Sequence, residues 1–346
     1  MTEVVASSLE ALSQGVAMSQ SEAYGLMDAI MAGLATPAQI GGILMALRVR
    51  GETVDELTGF ALAMRDHATP VPVKSRGVID TCGTGGDRSF TFNVSTVSAL
   101  VVAGAGMRVA KHGNRSATSK SGSADLLEAL GITLETSVDV VAQSIDEIGF
   151  GFLFALTVHG SMRHAAPARK QLGVRTVFNV LGPLTNPCRP EYQLVGVFDR
   201  QLIAPMAQVL ERLGVSRAMV VHGHGNIDEV SLSGPTEFGL VEDGTLSFGA
   251  LSPQDLGLPV YPPGSFLGGG PEENAFIARS IICENRPGPA FDLVLANAGV
   301  ALYVGGRAAS LREGVALARE AIVGGAAQRV LEALVARPKS EGRRNA

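Results

Sequence analysis

Val78-Ile79-Asp80-Thr81-Cys82 runs straight into Gly83-Thr84-Gly85-Gly86-Asp87, and an apolar run from Val94 to Ala105 follows. The first five residues read as a strand, the next five as a glycine-rich turn and the apolar run as a helix. Arg108 to Lys111 reads as a second short strand. Leu126 to Leu130 lies in a helix that Gly131 ends, and Ala218 to His222 reads as a strongly buried strand. Short apolar strands alternating with helices predict an α/β domain built on a largely parallel sheet.

Upstream of this unit the chain reads as helical. Ser19 precedes Glu22 by three residues, Thr36 precedes Gln39, and Thr53 precedes Glu56. Each pair has the spacing of a capping box, in which hydroxyl and carboxylate or amide satisfy free N–H groups at a helix start. Pro37 suits a first helical position, and Gly33 and Gly51 suit helix ends. Leu26, Ile30 and Met31, then Ile40, Ile43, Leu44 and Leu47, then Leu57, Phe60 and Met64 recur at helical spacing. The segment up to about residue 70 is therefore expected to be a small all-helical unit, closed by Pro70 and Pro72. Arg163 to Leu172 also reads as helical despite Pro167, and Gly182, Pro183 and Pro187 break the segment after it.

Composition excludes several classes. Of 346 residues, 46 % are hydrophobic and 18 % charged, an ordinary balance for a globular chain. The net charge of -5 disfavours a general nucleic-acid binder. It leaves an anionic substrate open, provided local loops or metal ions supply positive field. Cys82, Cys188 and Cys283 are scattered with no C-x-x-C spacing, so neither a zinc site nor a disulfide framework is expected. The N-terminus lacks a basic stretch before an apolar core, and the apolar run from Ala99 to Met107 is too short for a membrane span. A cytoplasmic protein is expected.

Four stretches carry chemistry. The turn from Gly83 to Asp87 can bring successive N–H groups to an anion, and Asn93, Ser95 and Thr96 open the next helix, where free N–H groups attract phosphate. It is neither a Walker A loop nor a dinucleotide fingerprint. Taken alone it is also compatible with a plain structural turn. Lys111-His112-Gly113-Asn114-Arg115, followed by Ser116, Ser119, Lys120, Ser121, Gly122 and Ser123, mixes cations, hydroxyls and glycines in one expected loop, a composition suited to a polyanion. Asp228-Glu229 in a glycine-rich loop can chelate Mg²⁺, although an adjacent acidic pair is common on surfaces. His159 to Arg169, with Arg163, His164 and Lys170, offers arginines suited to a planar carboxylate, or an exposed basic helix face. His222 and His224 are read as structural or solvent-facing rather than as a metal pair.

Together these motifs resemble the anthranilate phosphoribosyltransferase family. Gly83 to Asp87 with Thr91-Phe92-Asn93-Val94-Ser95-Thr96 is similar to its first signature, and Lys111 to Arg115 with Lys120-Ser121-Gly122-Ser123-Ala124-Asp125 to its second. Arg175 to Pro187 resembles a third, and Asp228-Glu229-Val230-Ser231 with Gly234-Pro235-Thr236 a fourth. Asn297-Ala298-Gly299-Val300-Ala301-Leu302-Tyr303 is also family-like. The likeness runs from about residue 8 to about 336.

The resemblance implies a nucleoside phosphorylase/phosphoribosyltransferase-like fold. A helical domain over 1–73, completed by about 163–188, would pair with an α/β phosphoribosyl-binding domain over 74–162 and 189–336. A flexible tail would cover 337–346. The implied reaction joins the amine of anthranilate to C1 of phosphoribosyl pyrophosphate (PRPP), a step of tryptophan biosynthesis. PRPP would be bound by Gly83, Gly86, Asp87, Thr91, Asn93, Val94, Ser95, Thr96, Lys111, His112, Gly113, Asn114, Arg115, Ser119 and Ser123. Anthranilate would be bound by Gly83, Asn114, His159 and Arg169. Two Mg²⁺ ions would be held by Ser95, Asp228 and Glu229. Catalysis is expected to be positional and electrostatic, with His112 and His159 the candidates for any direct part. The family implies a homodimer through the helical domain, with neither nucleic acid nor membrane as partner. Arg88 departs from the family's usual glycine and Gly160 from its usual proline, and Met162 stands at a variable position. A nucleoside phosphorylase shares the general architecture, but the Asp228-Glu229 pair argues against it. A non-catalytic, nucleic-acid-binding relative is disfavoured by the same pair, by Arg169 and by the acidic balance.

Overall fold

The computed structural model of the chain describes residues 3–87, 89–116, 120–134 and 136–337. Arg88, Ser119 and residues 338–346 of the expected tail lie outside the described residues. Arg337, also assigned to the tail, donates from Nη1 to the carbonyl of Val140 at 2.7 Å.

Four helices open the fold: α1 (Glu3–Ser13), α2 (Gln20–Met31), α3 (Pro37–Arg50) and α4 (Val54–Asp66). All three expected capping boxes form, at Ser19/Glu22, Thr36/Gln39 and Thr53/Glu56, so α2, α3 and α4 each start where a local side chain satisfies the orphan N–H groups. Their apolar faces meet in one core that includes Leu26, Ile30, Ile40, Ile43, Leu44, Leu47 and Phe60, all essentially inaccessible.

The rest of the chain winds through β1 (Val78–Gly83), α5 (Val94–Gly104), β2 (Arg108–Gly113), α6 (Ser123–Ala129), α7 (Val138–Glu147) and β3 (Phe150–Phe154). It then returns through α8 (Ala155–Val158), α9 (Ala166–Leu172), α10 (Phe178–Leu181), β4 (Tyr192–Gly196), α11 (Ile203–Arg212) and β5 (Arg217–Gly223). A hairpin, β6 (Thr236–Glu242) and β7 (Thr245–Leu251), precedes α12 (Pro271–Ile282), α13 (Pro289–Val304), α14 (Leu311–Val323) and α15 (Ala326–Val335). The sheet order is β3-β2-β1-β4-β5-β6-β7. Neighbours from β3 to β5 are parallel, while β6 and β7 pair antiparallel. The sheet is thus mostly parallel, and its central strands are buried along most of their length because both faces are covered. On one face α5 and α13 bury runs such as Val97 to Val102 and Leu293 to Leu302. On the other face Val195, Val220 and α11 share the core of the N-terminal helices.

Two local readings change. The stretch Arg163 to Leu172 is not one helix. A 3₁₀ turn covers Gly160–His164, and α9 starts at Ala166 because Pro167 belongs in a first turn. His112 and Gly113 are not in a loop but extend β2 beyond Lys111. Segment α9 packs on α3, and the 3₁₀ turn packs on α2.

The strand order sets the site. From β1 the chain steps to β2 and β3 on one side, and from β4 it steps to β5 on the other. The reversal lies between β1 and β4, and in such sheets the crevice beyond the carboxyl ends of those strands is where ligands bind.

Candidate active site

At that crevice Gly83 ends β1 beside Gly196, which ends β4. The loop after β5 folds back over both, and Asp228 rests on them. A Cβ on Gly83 would collide with the Asp228 carboxylate, and one on Gly196 with the Asp228 carbonyl. Glycine is required at both positions by this close approach, not by turn geometry. The Asp228 carboxylate accepts from the Gly85 N–H at 2.7 Å, and the Asp228 N–H reaches the Asp87 carboxylate at 3.4 Å. Two motifs separated by 143 positions thus share one site.

Glu229 points to the start of α5, where it accepts from the Ser95 N–H at 3.0 Å. The positive end of the helix favours the anion there. Lys111 rises from β2 with 1 % of its surface exposed. Its Nζ donates to the carbonyl of Thr81 at 2.5 Å and to the hydroxyl of Ser95 at 3.3 Å. Beneath it Asp80 is fully buried, accepting from the His112 N–H at 3.2 Å and from Asn186 Nδ2 at 2.9 Å. Asn186 also donates to the carbonyl of Ala110 at 2.8 Å.

These charges oppose one another. Desolvation pushes the Asp228 carboxyl up to about 7, the charge of Asp87 adds to the shift, and the Gly85 N–H opposes it. Glu229 is held well above the usual carboxylate range by desolvation and by Asp228, with Lys111 pulling the other way. Desolvation lowers Lys111, against Asp80 and the two loop carboxylates. A divalent cation beside Asp228 and Glu229 would relieve this repulsion, and an all-oxygen donor set suits Mg²⁺.

The second phosphate-type loop is pinned to the first. The amide of Asn93 donates to the carbonyl of Ser121 at 3.0 Å and accepts from the Ser121 hydroxyl at 3.1 Å. Asn274, in α12, donates to the same Asn93 oxygen at 2.9 Å. Val94 and Thr96 are completely buried, and the Thr96 hydroxyl has no partner among the described residues. Gly113 and Ser123 are adjacent across this loop, and Asn114 is exposed. Arg115 is tied to Glu128, through Nη2 at 2.8 Å, and to Asp125 at 3.2 Å. Thr91 bridges to Leu267.

Facing the strand ends is a cleft of roughly 1380 Å³. Gly86, Asp87, Phe198 and His222 line one side, and Arg48, Arg169, Lys170 and Arg175 line the other. The Nδ1 of His222 lies 2.8 Å from the Val197 carbonyl, and His224 is exposed. Arg169 is partly buried and lies 4.9 Å over Phe178, and among the described residues no carboxylate pairs with it. His112 and His159 form an edge-on pair with centroids 5.0 Å apart, each with a buried Nε2 that has no partner among the described residues. Desolvation lowers His112 to about 3 and His159 to about 4, so both are neutral near pH 7.

The helical bundle domain of the glycosyl transferase family matches residues 6–68, and that family's α/β domain matches residues 75–328. An anthranilate phosphoribosyltransferase of Symbiobacterium thermophilum is 50 % identical over 94 % of this chain and 95 % of its own length. The chain belongs to the anthranilate phosphoribosyltransferase family. The crystal structure of the Thermus thermophilus family member superposes with a TM-score of 0.90 at 48 % identity, covering 95 % of this chain and 98 % of that one. The Saccharomyces cerevisiae member, solved in complex with PRPP and Mg, superposes with a TM-score of 0.88 at 29 % identity, covering 96 % and 98 %. The same yeast protein has also been solved with 4-fluoroanthranilate, with a TM-score of 0.85 at 28 % identity over 96 % of this chain and 97 % of that one.

Sequence reasoning passed over several residues of this family member's site. Asp80, Asn186 and Asn297 lie in quoted stretches but received no role. Asn297 grips the loop after β5 from α13, accepting from the Val230 N–H at 2.8 Å and donating to the Val230 carbonyl at 3.0 Å. Asn274 carries no local signal at all, since its meaning lies in a contact 181 positions away.

Proposed function

We propose that the protein transfers the 5-phosphoribosyl group of PRPP to anthranilate, giving N-(5-phosphoribosyl)anthranilate and pyrophosphate in tryptophan biosynthesis. The carrying observation is the Asp228–Glu229 loop lying over the β1/β4 crevice, across a cleft lined by an Arg169 that no described carboxylate pairs with. In the reaction a C1–N bond forms, the C1–O bond to pyrophosphate breaks, and the amine gives up a proton. The aryl amine is neutral near pH 7, so no strong base is needed. We assign PRPP to the residues of the two glycine loops named above and anthranilate to Gly83, Asn114, His159 and Arg169.

Two Mg²⁺ ions would be held by Asp228, Glu229 and the Ser95 hydroxyl, with substrate phosphates and water as the other ligands. When bound they supply positive charge to the departing pyrophosphate. The start of α5 and the Gly83–Gly86 backbone orient the anion, and Lys111 contributes charge from below. Arg169 holds the acceptor carboxylate so that its amine faces C1. Neutral His112 and His159 are suited to line the acceptor's route, since neither carries charge into it.

Residues 1–73 with 163–188 are assigned to one helical unit, as the packing of α9 on α3 supports. A homodimer through that unit is proposed, with exposed Val4 and Val49 as apolar positions on its surface. Light scattering decides this: a monomer mass sinks the dimer. No described helix is long and apolar enough to cross a membrane, and a cytoplasmic location is part of the proposal.

The deciding experiment follows anthranilate fluorescence with PRPP and Mg²⁺, with EDTA as control. Rapid loss abolished by EDTA is expected. No loss in protein that still binds PRPP would move the error to the acceptor side. Arg169→Ala should raise the anthranilate KM strongly and leave the PRPP KM nearly unchanged, and equal effects on both would overturn its assignment.

A further inference from the structure

Arg175 lies on the same wall as Arg169 but faces another part of the cleft. Its guanidinium carbon sits 4.1 Å from the centroid of Phe198, just beyond the end of β4. Its Nη2 stands directly over the glycine turn after β1, because a Cβ on Gly86 would lie 2.6 Å from it. The backbone holds it there: Nη1 of Arg48 donates to the Arg175 carbonyl at 2.7 Å. Among the described residues no carboxylate pairs with this guanidinium. A cation held over an aromatic ring, with its guanidinium nitrogens close to a glycine turn and no carboxylate partner among the described residues, is prepared for an anionic ligand.

Given the reaction proposed above, on which this inference rests, we propose that Arg175 binds the pyrophosphate group of PRPP and holds it as it leaves C1. Two arginines of the wall then divide the substrates: Arg169 takes the acceptor carboxylate and Arg175 the leaving group. Arg175 follows α9, which packs on α3, while Gly86 lies in the turn that leaves β1. Contact with pyrophosphate therefore ties the helical wall to the strand ends when PRPP is in place. The planar fork suits a phosphate edge, so lysine would replace only part of the effect.

The test measures pyrophosphate affinity by calorimetry at fixed Mg²⁺, and the KM of each substrate, for wild type, Arg175→Gln, Arg175→Lys and Phe198→Leu. Arg175→Gln should weaken pyrophosphate binding and raise the PRPP KM at least about tenfold, the usual size for a lost hydrogen bond to a charged group. The anthranilate KM at saturating PRPP should stay within about twofold. Arg175→Lys should fall between wild type and Arg175→Gln. Phe198→Leu keeps the charge but removes the ring that aims it, and should shift pyrophosphate affinity in the same direction by less. Unchanged pyrophosphate affinity in Arg175→Gln overturns the proposal, as does a rise confined to the anthranilate KM. Should Arg175→Gln fail to fold, wild-type affinity in both Arg175→Lys and Phe198→Leu overturns it equally. Pyrophosphate binding is read without turnover, so a wild type that binds pyrophosphate but does not consume anthranilate rejects the acceptor assignment, while the Arg175 comparison is still decided by calorimetry.

Discussion

Glu56 in the helical unit and Glu229 at the strand ends are both drawn away from water, and their surroundings differ. Glu56 is fully buried and fully partnered: it accepts from the N–H groups of Met18 at 3.0 Å and Thr53 at 2.9 Å, and it is paired with Arg50. Glu229 is partly buried, has the Ser95 N–H, and shares its surroundings with Asp228 and Asp87. The first arrangement holds a helix start in place. The second is left under repulsion that a metal ion and a polyanionic substrate would relieve. A scaffold satisfies its polar groups internally, whereas a binding site keeps them for the ligand.

The largest expected effect breaks the comparison at the site. Asp228→Asn should lower kcat by at least about 10²-fold, by analogy with the loss of other electrostatic groups aimed at a transition state. It should not lower the melting temperature of the metal-free protein, because a repelled charge is removed. A clear drop in stability would mean that Asp228 is structural, like Glu56. The reverse change is Glu56→Gln, which leaves Arg50 without its partner and should cost about 3 kcal/mol in urea unfolding, with the kcat of the folded fraction unchanged. A stability loss under about 1 kcal/mol would show that the pair is effectively solvated.

A smaller effect sharpens the contrast through pH. The folded state raises the Asp228 carboxyl from 3.8 to about 7, so it favours the neutral form. That contribution to stability is complete below the unfolded value and fades as pH climbs through the folded one. The stability of Asp228→Asn relative to wild type, both free of metal, should therefore rise between about pH 4 and pH 7 and then level off. Mg²⁺ with pyrophosphate should close the gap by restoring wild type. A pH-independent difference would refute the strained-carboxylate reading. The smallest effect concerns Phe90, which lines the cleft half-exposed with φ of 55°. An aromatic residue is costly in this left-handed region, and Phe90→Asn should raise the melting temperature by about 1–2 °C. A lower melting temperature would show that the ring's packing outweighs the backbone cost.

What the sequence determined by itself was mostly local. Ser19/Glu22, Thr36/Gln39 and Thr53/Glu56 name helix starts because a capping box closes within four residues and needs no partner from elsewhere. The strand, turn and helix around Gly83 to Asp87 were legible for the same reason, as was the break at Gly131. Motif resemblance supplied the family, and with it a set of candidate residues in order along the chain. Burial and long-range partners lie outside what local pattern carries. Lys111 reads as the end of a strand and the start of a cationic loop; only the structure shows its ammonium turned inward to the Thr81 carbonyl beneath the site. Arg115 reads as a candidate ligand cation, and the structure adds ion pairs with Glu128 and Asp125 that the sequence did not announce. Tertiary structure alone placed Asp228 on Gly83 and Gly196, Glu229 at the start of α5, Asn274 against Asn93, and Arg175 over Gly86. These contacts join segments far apart in the chain, and their formation depends on which strands become neighbours. No spacing in the sequence encodes that, because the strand order is chosen by the packing of whole helices on both faces of the sheet.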